Sequence, residues 1–344
     1  MLGERRAAIL RLIIEYYIKT GEPIGSKTLC NLLPYAVSSA TIRNEMAHLS
    51  NLGYLEQRHT SGGRVPGKNA YRFYVDHLME PKALSPYETA KIDERLSVNA
   101  GDAQRLLADA ADLLADATHC AAFSCALADA GDVIQGVQLI PAGGGRAMLV
   151  MLTAGGRIKS SICRLSCPAD DGFMAAFYDV MHSTFIGTRL SDVSIAVQST
   201  AVTLGSRIFD MLPVLSSLCA LCAETRQDSL LFAGETNLLS HEELGNEVYK
   251  LLTFLTNRPR FLTLAKQFAD APARSALFIG EENPYFELKN TATMLCSLHY
   301  NSQQRAVLGV IGSTRMDYAT IVPRAQYIMN KTTDLLAEGG ITNG

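Results

Sequence analysis

A chain of 344 residues that is 48% hydrophobic and 19% charged is too apolar to be disordered or collagen-like, and long enough to need two or three domains, each with its own core. The net charge of −3 is unevenly spread: residues 1–80 hold ten Lys or Arg against seven Asp or Glu, a net of +3, and the remainder carries −6. Phosphate contacts need cations placed locally and not a basic whole protein, so the N-terminal segment is the one to search for a nucleic-acid footprint.

From Glu4 to Thr20, Ile9, Leu12, Ile13, Tyr16 and Tyr17 recur at helical spacing, and Gly21 with Pro23 ends the run. Ser26 offers an N-cap oxygen for a short helix through Leu33, stopped by Pro34. Ser38 or Ser39 caps a third helix reaching about Leu52, with Gly53 as its left-handed exit. Tyr54 to His59 reads as a strand, Ser61-Gly62-Gly63 as a tight turn and Arg64 to Pro66 as a return strand, which together make a wing. Asn69 is placed to cap a helix over Tyr71–Met79, and Pro81 to Pro86 reads as a linker.

Tyr87 to Thr118 is Ala- and Leu-rich and helical in pattern. Val133–Ile140, Ala147–Thr153 and Arg157–Leu165 are strand-like runs separated by glycines, an antiparallel meander. Residues 168–272 are mainly helical in pattern. Strands return at Ala276–Ile279, Met294–Tyr300 and Ala306–Ile311, before a terminal helix from about Tyr318 to Ala337. This order predicts an α+β sheet domain interrupted by a helical insertion.

Met1 to Arg6 is charged and the apolar run behind it is broken by Arg11 and Glu15, so no signal peptide is read and a cytoplasmic chain is expected. Met211–Ala223, the longest strongly apolar stretch, contains Pro213 and reads as buried helix, with no membrane span. The eight cysteines sit in apolar company, as free thiols of a reducing compartment do.

On the third helix, Ile42, Met46, Leu49 and Leu52 form an apolar stripe, while Ala40, Arg43, Asn44, Ala47 and Asn51 lie on or beside the opposite face. That face suits a major groove. Arg bonds bidentately to guanine and Asn to adenine, small Ala40 and Ala47 allow close approach or meet a thymine methyl, and Thr41 and His48 flank them. Ser38 and Ser39 stand where backbone N–H groups and hydroxyls hold a phosphate, and the wing brings Thr60, Ser61, Arg64 and Lys68 to the same backbone.

The text itself resembles the HrcA family of heat-inducible transcription repressors. The resemblance rests on Gly21-Glu22-Pro23-Ile24-Gly25-Ser26-Lys27-Thr28-Leu29, on Ser39-Ala40-Thr41-Ile42-Arg43-Asn44-Glu45-Met46, and on His59-Thr60-Ser61-Gly62-Gly63-Arg64-Val65-Pro66 with Tyr71-Arg72-Phe73-Tyr74-Val75-Asp76. Further along, Phe232-Ala233-Gly234-Glu235-Thr236-Asn237-Leu238-Leu239, Ile279-Gly280-Glu281-Glu282-Asn283 and Gly309-Val310-Ile311-Gly312-Ser313-Thr314-Arg315-Met316-Asp317-Tyr318 match as well. Gly63, Gly67 and Ala70 depart from the family's usual Ala, Thr and Gly.

The resemblance implies an α+β multidomain fold with a winged helix-turn-helix domain over residues 1–80. It implies a GAF-like domain built from 87–167 and 273–338, and an inserted dimerisation domain over 168–272. It implies repression of chaperone genes through an inverted-repeat operator on double-stranded DNA, bound by a homodimer, relieved on heat stress and modulated by the chaperonin. An alternative is a GAF-type regulator that responds to a small molecule, on fold analogy. Neither an enzyme nor a cofactor is expected. Cys219 and Cys222 have C-x-x-C spacing but no neighbouring His, and His241-Glu242-Glu243 lacks a second His and reads as a helix start capped by Ser240. Gly143 to Gly145 precedes a strand, so it is a hairpin turn and not a phosphate loop. Glu281 and Glu282 have no nucleophile or metal ligands near them in the sequence to make an acid–base pair.

Overall fold

The computed structural model describes residues 2–57, 63–300 and 304–341. The chain forms two compact units: one made of 1–124, 231–296 and 308–332, the other of 125–230, 297–307 and 333–344. Helix α1 (Glu4–Thr20) ends on Gly21 at φ +74°, whose N–H closes on the Tyr17 carbonyl. Helices α2 (Ser26–Leu32) and α3 (Ser39–Asn51) follow, then β1 (Leu55–Glu56) pairs antiparallel with β2 (Val65–Pro66). Ile24 exchanges both backbone hydrogen bonds with Arg64, at 3.0 and 2.9 Å, and so adds a single-residue rung to the hairpin. Ile9, Ile13, Leu29, Ile42, Leu49 and Val65 are buried between these elements.

Helix α4 (Lys68–Phe73) continues into a π-helical turn at Tyr74–Leu78. Three local expectations change here. Ser26 is the first residue of α2 and Gly25 its cap, without a side-chain hydrogen bond. Gly67, not Asn69, precedes α4. Leu52 is the C-cap of α3 and 46% exposed, because the apolar stripe ends one turn earlier. The expected strand over 54–59 is observed only at Leu55–Glu56, and its continuation with the turn over 58–62, including Thr60 and Ser61, lies outside the described residues.

Helix α5 (Pro86–Ser97) starts on a capping box: the Ser85 hydroxyl accepts from Glu88 N–H at 3.2 Å while the Glu88 carboxylate accepts from Ser85 N–H at 2.8 Å. The helical run expected over 87–118 is divided, because Asp102 caps a separate α6 (Ala103–Thr118). Strand β3 (Ala121–Leu127) is buried at every position.

In the second unit β4 (Ile134–Gly143), β5 (Arg146–Thr153) and β6 (Ile158–Arg164) make the expected antiparallel meander. Gly143, Gly144 and Gly145 turn it with φ of +76°, +59° and +67°. Helices α7 (Asp171–Val180), α8 (Val193–Leu204) and α9 (Ile208–Thr225) follow. Leu139, Leu149 and Met151 of the sheet share one core with Phe177, Phe185, Val214 and Leu218 of the helical region. The boundary expected at residue 167 therefore does not hold: the meander is one body with the helices that follow it. Helix α9 is long and apolar enough to cross a membrane by length and composition, yet Met211, Val214, Leu215, Leu218 and Cys222 are buried in this core, and α9 packs on β5 and β6.

Strand β7 (Ser229–Ala233) leads to helices α10 (Glu247–Thr256) and α11 (Arg258–Ala269). Ser240 caps no helix there; its hydroxyl donates to the Asn237 carbonyl at 2.6 Å, and His241 precedes a short 3-10 turn. Strands β8 (Ser275–Ile279), β9 (Thr291–Tyr300) and β10 (Gln304–Ser313) complete a five-stranded sheet in the order β7-β3-β10-β9-β8, and α12 (Tyr318–Ile341) ends the described chain. Phe261 sits in an aromatic cluster, 4.7 Å from Phe123 edge-on and 4.9 Å from Phe232. A Cβ at Gly309 would lie 2.2 Å from the Phe123 ring, so β10 needs glycine where that ring covers it.

Candidate nucleic-acid interface

Helix α3 opens on Ser38, whose hydroxyl accepts from Thr41 N–H at 3.1 Å and lies 2.9 Å from the Thr41 hydroxyl. Ile42, Met46 and Leu49 are buried; Ser38, Ala40, Arg43, Asn44, Ala47 and His48 are exposed, and Ser39 and Thr41 half-buried. The outward face inferred from the helical wheel is thus one solvent-facing surface. Arg43 is steadied on it: its Nε donates to the Ser26 hydroxyl at 3.3 Å, and Ser26 lies 2.9 Å from the Ser39 hydroxyl. This hydroxyl pair ties α2 to the start of α3.

The helix is clamped from behind by a residue absent from the sequence-based site. Glu45 is 6% exposed, with Arg5 donating to one carboxylate oxygen at 3.1 and 2.6 Å and Arg6 to the other at 2.6 Å. The Arg6 hydrogen bond, with Arg5 beside it, outweighs burial and holds the Glu45 carboxyl below its ordinary range. Lys27, exposed beside Ser26 in α2, was also missed. Among the described residues, Lys27, Arg43 and Arg64 have no acidic partner, whereas Arg5, Arg6, Arg11, Lys68 and Arg72 are paired.

Lys68 is the predicted site residue that the structure places differently. Its Nζ lies 2.6 Å from Glu281, and the hydrogen bond to Glu281 raises the ammonium pKa. One turn on, Arg72 grips Glu282 with two nitrogens and the Leu277 carbonyl with one of them. The acidic pair that suggested acid–base chemistry is therefore occupied by two cations of α4.

A second tie runs from α1. Arg315 donates to the Tyr17 carbonyl at 3.4 Å, stacks over the Tyr17 ring at 5.9 Å and pairs with Glu243 at 2.9 Å. Glu243 in turn lies 3.5 Å from His241 Nδ1. Cys120 beside the ring, then Glu243, push the His241 pKa up to about 9 against burial. Burial alone would raise Glu243, but His241, Arg315 and Ser313 hold it far below the ordinary carboxylate range. Among the described residues no cysteine is in a disulfide, and burial pushes the Cys222 thiol up to about 12, which disfavours the thiolate that a zinc site would need.

A family model described as the HrcA protein C terminal domain matches residues 104–322. The heat-inducible transcription repressor HrcA of Desulforudis audaxviator is 30% identical over 341 residues, covering 97% of this chain and 98% of that protein. The chain belongs to the HrcA family. The heat-inducible transcription repressor HrcA of Acetivibrio thermocellus is 28% identical over 333 residues, covering 96% of this chain and 95% of its own. Like these HrcA proteins, the chain is a heat-inducible transcription repressor. A crystal structure described as that of a hypothetical protein at 2.2 Å resolution shares the fold, with a TM-score of 0.70 at 22% identity, covering 98% of this chain and all of that one.

Proposed function

We propose that this repressor binds double-stranded operator DNA as a homodimer, with residues 1–80 as a winged helix-turn-helix and α3 as the helix that enters the major groove. The observation that carries the reading is the α3 surface. Ala40, Arg43, Asn44, Ala47 and His48 face solvent together, while Glu45, Ile42 and Leu49 lock the opposite side. Lys27 and Arg64, neither spent on an acidic neighbour, supply phosphate contacts at its margin, alongside Ser38, Ser39 and Thr41. Repression then follows from occupancy of the operator in the cytoplasm, without catalysis.

Two-fold symmetry of an inverted repeat demands two copies of the chain. The second unit supports this with an apolar sheet face opposite its core. Ile140, Met148 and Ile162 lie in one row across the three strands, and Ile158 stands beside Leu152; Ile158 and Ile162 are 68% and 72% exposed. An apolar patch of this kind marks an interaction surface, so this unit is assigned the dimerisation role. The five-stranded sheet with its helices is read as the GAF-like domain. The chaperonin is assigned the role of folding partner, because a first unit assembled from three separated chain segments folds slowly and exposes apolar surface while doing so.

Selection of binding sites from random duplexes tests the central claim. Enrichment of an inverted repeat with a half-site spacing near one or two helical turns is expected; recovery of unenriched sequence overturns operator binding through α3.

A further inference from the structure

Within the first unit, the turn after β8 is built rigidly. Gly280 takes φ +61°, and Asn283, 5% exposed, donates to the carbonyls of Gly280, Leu288 and Thr291 at 3.0 Å each. Glu282 also accepts from the Ile279 N–H at 2.8 Å. This internal hydrogen bonding fixes the backbone that carries two adjacent carboxylates, and α4 meets them with Lys68 and Arg72.

The two pairs are unequal. Arg72 is half-buried and bonds to two carboxylate oxygens of Glu282, to the Leu277 carbonyl and to Asp76, so it pins α4 in place. Lys68 has Glu281 as its acidic partner, and both side chains are open to water, 69% and 60% exposed. An exposed pair of that kind is weak and screened by salt. A row of DNA phosphates offers the same chemistry at higher charge density.

We propose that Glu281 is an ionic clasp that stands in for a DNA phosphate on Lys68, so that this lysine at the start of α4 reaches the nucleic-acid backbone only when DNA displaces this carboxylate. The inference rests on the reading of residues 1–80 as the DNA-binding segment. The clasp lowers affinity for any duplex without regard to sequence, since phosphate contacts carry no base information. Its effect is to shorten residence on operator and non-operator duplex alike, which leaves the ratio between them to the bases that α3 contacts. Glu282, held by the pinned Arg72, is the fixed member that keeps Glu281 in register.

The test uses the full chain and a fluorescein-labelled duplex of random sequence, titrated by anisotropy from about 50 to 300 mM salt. Glu281→Gln is expected to bind about three- to fivefold more tightly than wild type at the low end, with a salt slope steeper by about one, the increment of one added phosphate contact. Lys68→Ala should alter wild-type binding by less than about twofold yet remove the gain in the Glu281→Gln background, a coupling that a change of fold stability alone does not produce. Glu281→Asp, which keeps the charge, should stay closer to wild type than Glu281→Gln. Equal or weaker binding by Glu281→Gln, or a gain that survives Lys68→Ala, overturns the clasp and leaves the DNA-binding reading intact. Failure of wild type and variants alike to bind any duplex overturns both.

Discussion

Glu45→Ala is the substitution on which the geometry of the proposed α3 surface depends most. The carboxylate accepts three hydrogen bonds, at 3.1, 2.6 and 2.6 Å, from two guanidinium groups of α1. Hydrogen bonds to charged groups contribute roughly 1.5 to 3 kcal/mol each when buried. Here Arg5 and Arg6 are 56% and 39% exposed and recover water when released, so most of that sum is offset. The expected net loss for the cluster is about 2 kcal/mol, equivalent to a roughly 30-fold rise in the population with α3 detached from α1. Native-state hydrogen exchange reads this directly. Amides of Ile42 to Leu49 should exchange about 30-fold faster in the variant, while those of β4 to β6, in the other unit, keep their wild-type rates. Exchange in α3 within about threefold of wild type would show that apolar packing through Ile42, Met46 and Leu49 holds the helix unaided, and the clamp would lose its assigned role.

Arg43→Ala and Asn44→Ala should each cost about 1 to 3 kcal/mol of operator affinity and relax preference at one base position, whereas Lys27→Ala should weaken binding to all sequences and lower the salt slope by about one; unchanged titrations remove the residue concerned from the interface. His241, raised to about 9, stabilises the fold fully below its ordinary 6.5 and loses that contribution as pH climbs through 9, while Glu243, depressed, contributes above about 4.5 and loses its contribution as pH falls through its lowered folded-state value. Calorimetric melting should therefore decline from neutral to alkaline pH, and an equal decline in His241→Gln would assign it to other groups. Ile158→Lys combined with Ile162→Lys should convert a dimer to monomers in sedimentation and weaken operator binding, and an undisturbed dimer would place the two-fold elsewhere. After heating and cooling, operator binding should recover faster or further with chaperonin and ATP than without, and equal recovery would remove the chaperonin from the mechanism.

Local signals in the sequence were reliable where the physics is local. The Ser38 cap, the Gly21 exit, the period of α3 and the glycine hairpin at 143–145 are all decided within a few residues, and each is observed. Strand β3 was missed because Ala121–Leu127 is buried on both faces and shows no alternation to distinguish it from helix. The unit boundary was misplaced for a related reason: nothing in the text says whether β4 to β6 pair with later strands or, as found, pack on α7 to α9. Of the candidate interface, the solvent exposure of the outward face of α3 was legible from its period alone. The clamp on Glu45 and the pairing of Lys68 were not, since their partners lie 40 and 213 residues away in sequence.

That last separation has a consequence in time. A ribosome adding roughly 5 to 20 residues per second makes Lys68 some 10 to 40 seconds before it makes Glu281, 213 residues later. For that interval Lys68 is without the carboxylate that pairs with it in the folded chain. On the clasp reading, translation itself sets the cover on this lysine, because the carboxylate that holds it is delivered last.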